Sequence, residues 1–133
     1  MTRARRGIVA ATIATGFLLA SMGTAHAGDT GGALRGPEGD WRTSTMGVKQ
    51  TITFDDKGKV YGDSGCNRFT GGYKVKGDRI TIGPLASTMM FCEGKMDAEA
   101  VFLNKLQNAV AFQATDAKLK LFTPKDLTVF KAA

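Results

Sequence analysis

The chain has 133 residues, a formal net charge of +6 at pH 7 and 43% hydrophobic residues. That length suits one small domain. Beyond residue 27 its 15 basic residues are isolated along the chain, which excludes the basic run or basic helix face of a nucleic-acid-binding protein.

Residues 1–27 read as a secretory signal peptide. Arg3, Arg5 and Arg6 form a positive start, Ile8 to Ala20 an apolar stretch, and Ala25-His26-Ala27 a small-x-small cleavage pattern. The apolar stretch is shorter than the ~20 residues a membrane span needs. The expected product is an exported protein beginning near Gly28, periplasmic or secreted, soluble and monomeric, with no transmembrane segment. Cleavage removes three arginines and halves the net charge. It also removes His26, the single histidine. Histidine general acid–base catalysis, histidine-activated nucleophiles and the commonest transition-metal ligand go with it.

Residues 28–40, rich in glycine with one proline, read as a flexible leader. The domain is expected over 41–133, with Trp41 as a core anchor at its start. Val48, Ile52 and Phe54 alternate with Lys49, Thr51 and Thr53, the period of a half-buried strand. Asp55 to Gly58 is a turn, and Lys59 to Asp63 returns as the second strand of a hairpin. Tyr73 and Val75 follow a Gly-Gly pair. Arg79 to Ile82 alternates again, and a further short strand is expected from Leu85 to Met90. Residues 96–110 read as the one helix, capped by Asp97. Ala98, Val101, Phe102, Leu106, Ala109 and Val110 form its apolar stripe, with Glu99 elsewhere on the wheel. Strands near 112–115, 119–122 and 127–130 close the chain. The fold class is α+β, mainly β: a small antiparallel, partly open β-barrel with one α-helix.

Ser64-Gly65-Cys66-Asn67-Arg68-Phe69-Thr70-Gly71-Gly72-Tyr73 resembles the G-C-N-x-aromatic-x-G-x-Tyr signature of the META-domain family, the HslJ-like bacterial heat-shock proteins and their relatives. Ala86 to Cys92 is similar to that family's S-T-x-x-x-C segment, and a helix carrying Glu99, Phe102 and Leu106 follows in the expected order. The likeness runs from about Trp41 to Lys131. Phe91 departs from the pattern, where a smaller residue precedes the cysteine. The resemblance implies a compact barrel with one helix, an envelope location and a link to heat or envelope stress. It supplies no catalytic mechanism.

Read residue by residue, Asn67, Arg68, Phe69 and Tyr73 are open to two interpretations. They shape a strand connection, with Phe69 and Tyr73 packing inward, or they form a loop that meets a ligand or partner. Cys66 and Cys92 in an exported domain are expected to form a disulfide. Closing that loop removes ~3.5 kcal/mol of unfolded-state entropy. CxxC redox spacing is absent, and two thiols without histidine do not make a zinc site. Asp55-Asp56 lacks the spaced ligands of a calcium loop. Met89, Met90 and Met96 are expected in the core rather than at a soft metal.

The expected function is therefore non-catalytic, without cofactor, metal or catalytic residues. It would be a domain supporting stress tolerance through contacts with an envelope protein or other envelope components. Two alternatives are a small apolar or lipid ligand held inside the barrel, and inhibition of an envelope or secreted hydrolase by an exposed 66–72 loop.

Overall fold

The computed structural model describes residues 33–133. The expected signal peptide and residues 28–32 lie outside the described residues. Eight strands follow one another around a closed antiparallel ring: β1 (Gly39–Thr45), β2 (Val48–Phe54), β3 (Lys59–Asp63), β4 (Arg68–Lys76), β5 (Arg79–Ser87), β6 (Ala111–Ala114), β7 (Lys118–Phe122) and β8 (Leu127–Ala132). The helix α1 (Met96–Gln107) interrupts the meander between β5 and β6.

Strand alternation sets what faces inward. On β2 it is Gln50, Ile52 and Phe54; on β7 it is Leu119 and Leu121, while Lys118 points out. The ring closes where β8 pairs with β1, at Trp41 opposite Ala132 and Arg42 opposite Lys131. Its thinnest join is between β5 and β6. There a single ladder pair, Arg79 opposite Ala111, is flanked by bonds from Ile80 N–H to Val110 O and Phe112 N–H to Asp78 O.

The interior is filled by the chain's own side chains. Phe102 of α1 sits between Phe69 and Phe130, with ring centroids 5.8 and 6.2 Å away. Around them pack Trp41, Ile52, Val60, Ile80, Ile82, Leu106, Phe112, Leu119 and Leu121, all buried. Tyr73 meets Phe54 edge-on at 4.9 Å and donates its hydroxyl to the carbonyl of Asp55.

Several local expectations change. Residues 39–45 form a full strand. Ahead of it, within the Gly-rich stretch, Arg35 N–H donates to Ala114 O at 2.9 Å. Pro37 is buried and accepts the Trp41 indole N–H at 2.7 Å. The strand expected over 85–90 is instead the end of a single β5 that runs through Gly83-Pro84 and stops at Ser87. Met89 and Met90 leave the core for solvent. The helix starts one residue before Asp97, with Lys95 at the cap position, and ends at Gln107 rather than 110. Glu99 is buried on the inner face.

Candidate functional site

The signature residues gather at the turn joining β3 to β4. Cys66 and Cys92 form a disulfide, with α-carbons 5.8 Å apart. Asn67 is buried, and its side chain bonds in four directions. Its Nδ2 donates to Glu99 Oε2 at 2.9 Å and to Met90 O at 3.0 Å. Its Oδ1 accepts from the Thr88 hydroxyl at 2.8 Å and from the Met90 N–H at 2.6 Å. One asparagine thus holds the segment that leaves β5 against the start of the helix.

Glu99 completes the cluster. Its Oε1 accepts from the Ser64 hydroxyl at 2.6 Å and the Asn67 N–H at 2.8 Å. Burial pushes this carboxyl up. Hydrogen bonds from Ser64, the Asn67 side chain and the Asn67 backbone outweigh it and hold the group below its ordinary value. Gln50 supports both sides, donating to Ser64 O at 3.1 Å and Ala98 O at 3.3 Å.

A serine hydroxyl against a carboxylate is a combination used for nucleophile activation. Here Ser64 is 0% and Glu99 6% exposed. The pair joins the β3–β4 turn to α1. A carboxylate saturated by donors also has little reason to take a proton near neutral pH.

The expected site residues therefore divide. Asn67 lies in the turn, while Arg68, Phe69 and Tyr73 lie on β4. Phe69 and Tyr73 face the core and Arg68 faces solvent. They do not form an exposed loop, because β4 pairs with β3 from Arg68 to Gly72 and with β5 on its other side. The protruding segment is residues 88–95. It carries Met89, Met90 and Phe91, exposed by 92%, 58% and 78%. The disulfide anchors it at Cys92, and Asn67 bonds Thr88 and Met90. Asp55 accepts the N–H groups of Lys57 and Lys59, each at 2.8 Å, as a hairpin turn does. Among the described residues no group of three or more histidine, cysteine, aspartate or glutamate side chains is placed to hold a metal.

Sequence reasoning missed Glu99, Ser64 and Thr88 as parts of the cluster. The available signal was that Glu99, Phe102 and Leu106 share one helix face, three and four residues apart.

A family profile described as META domain matches residues 33–133. No curated protein matches the chain. Among solved structures, a Burkholderia xenovorans protein is similar at 19% identity, with TM-score 0.61, 80% of this chain covered and 96% of that one. A second solution structure is similar at 23% identity and TM-score 0.55, covering 71% and 88%. A crystal structure of a DUF4847 family protein from Bacteroides vulgatus is similar at 20% identity and TM-score 0.50, covering 63% and 59%. These likenesses establish a shared fold.

Proposed function

The chain belongs to the META-domain family, and from that premise we propose that it is a non-catalytic, exported contact module acting in heat or envelope stress. Its partner surface is the braced segment 88–95. The observation that carries this reading is the exposure of Met89, Met90 and Phe91 on a backbone pinned by Cys66–Cys92 and Asn67. Three consecutive exposed apolar side chains on a restrained loop gain nothing for the fold. They gain binding free energy when a partner covers them, and the bracing lowers the ordering entropy on binding. The signal-like residues 1–27 and the family's stress link support the envelope setting.

The same braced loop favours one alternative, insertion into the cleft of an envelope or secreted hydrolase. An apolar ligand inside the barrel finds no support, because core side chains occupy that volume. The concavities described lie on the outer surface, lined by residues such as Val101, Asn104 and Thr123 or Arg42 and Lys49.

The test compares a deletion strain complemented with wild type or with Met89→Ser plus Phe91→Ser, under heat and membrane-active antibiotics. Wild type should restore survival and the variant should not, at equal protein level. Full rescue by the variant refutes the loop assignment. A deletion without a phenotype refutes the stress role.

A further inference from the structure

The outer face of β7, β8, β1 and β2 has an arrangement that neither core packing nor the 88–95 segment explains. Register places Lys118 directly opposite Lys131, and Lys131 directly opposite Arg42. Lys49 lies opposite Ser44, one step further along the same outer face. Like charges facing each other across strands destabilise a sheet. Among the described residues the salt bridges are Arg35–Asp116 and Lys105–Asp126, so Arg42, Lys49, Lys118 and Lys131 have no carboxylate partner. Two carboxylates near this face hold neutral donors rather than these cations. Asp40 accepts the Thr53 hydroxyl at 2.7 Å and Asp63 the Gly65 N–H at 2.8 Å.

Beyond the cations, toward the β1–β2 turn, apolar side chains stand exposed beside Ser44, Thr45 and Thr128. Met46, Val101, Leu127 and Val129 border one shallow concavity there, and all four are exposed. Met46 is the most exposed of them, at 67%. It is also the one non-glycine residue with positive φ among the described residues, at 52°, followed by Gly47 at 81°. A two-residue hairpin turn of this shape favours Asn-Gly. Methionine there costs backbone strain and contributes no core contact.

We infer that this face docks on a lipid bilayer surface carrying anionic headgroups. The row of cations would meet the phosphates. Met46 at the hairpin tip, with Leu127 and Val129 behind it, would enter the headgroup boundary. The apolar tip favours a bilayer over a soluble polyanion, which would engage the cations and leave Met46 in water. The inference uses a different face from the one proposed for partner contact and does not depend on it.

The test is co-sedimentation of the purified, oxidised protein with vesicles in 0.15 M salt. Vesicles of equal phosphatidylglycerol and phosphatidylcholine should bind it at least tenfold more strongly than pure phosphatidylcholine. Arg42→Gln with Lys131→Gln should weaken binding about fivefold per cation removed. Met46→Asn, which suits the turn and so leaves folding intact, should weaken it severalfold. Equal binding to both vesicles, or wild-type binding by the double variant, overturns the inference. So does anionic binding that Met46→Asn leaves unchanged and that inorganic phosphate abolishes, since that behaviour belongs to a soluble anion site.

Discussion

Replacing Glu99 by glutamine removes one charge from the buried cluster and changes almost no volume. Glutamine must point an NH2 group somewhere. Facing Asn67 Nδ2, which lies 2.9 Å from Oε2, it sets donor against donor. Turned over, it meets the Asn67 N–H, 2.8 Å from Oε1. Either way one charge-assisted hydrogen bond is lost, at about 1.5–3 kcal/mol, and one buried donor is stranded, at about 1–3 kcal/mol. The expected total is about 3–5 kcal/mol, close to half the ~5–10 kcal/mol of a domain this size. Urea unfolding followed by the fluorescence of Trp41, the single tryptophan, measures it, and Tm should fall by about 15 to 30 °C. The effect should also depend on pH. Glu99 titrates lower in the folded protein than the 4.5 expected of it unfolded. Between those two values the unfolded chain binds more protons, so stability rises with pH there. The contribution is complete above about pH 4.5 and is lost as pH falls through the folded value. The gap between wild type and Glu99→Gln should therefore narrow on acidification. A gap below about 0.5 kcal/mol at pH 7, or one constant down to pH 3, would refute the account.

Three further outcomes follow from the structure. Replacing Cys66 and Cys92 together by alanine opens a loop of sequence separation 26; equilibrium unfolding should show about 3.5 kcal/mol less stability, while the intact wild type should show no alkylatable thiol without reduction. Gly62→Ala should prevent soluble expression or cost more than about 3 kcal/mol, because the new methyl carbon would lie 2.1 Å from Thr51 O. Gly77→Ala, where nothing lies within 4 Å and φ is +63°, should cost only about 1 kcal/mol in the same assay.

The sequence was most readable where a face alternates cleanly. Val48 to Phe54 and Lys59 to Asp63 are strands because every second side chain is apolar or buried. Strand β1 was hidden, since Trp41 is its only large apolar residue and its other half-buried positions are threonines. Apolar character misled at Met89 and Met90, where it marks an exposed segment rather than a strand continuing inward. The cysteines and Asn67 were visible as a motif. Glu99 was not recognised as buried, since a carboxylate on a helix ordinarily faces water, and the donors that admit it lie 32 and 35 positions earlier. The cation row was equally hidden. Arg42, Lys118 and Lys131 are isolated in the chain and become neighbours only through the pairing of β7, β8 and β1.

The join between β5 and β6 has a kinetic consequence. Seven of the eight contacts in the ring are longer ladders or, between β8 and β1, end where the chain's last residue still bonds Asp40. Where one ladder pair holds two strands, breathing should begin, and amide deuteration should reach Ile80 and Phe112 before it reaches the centre of β2. The cylinder has a slit along which it loosens, closed by one turn's worth of backbone and the helix beside it.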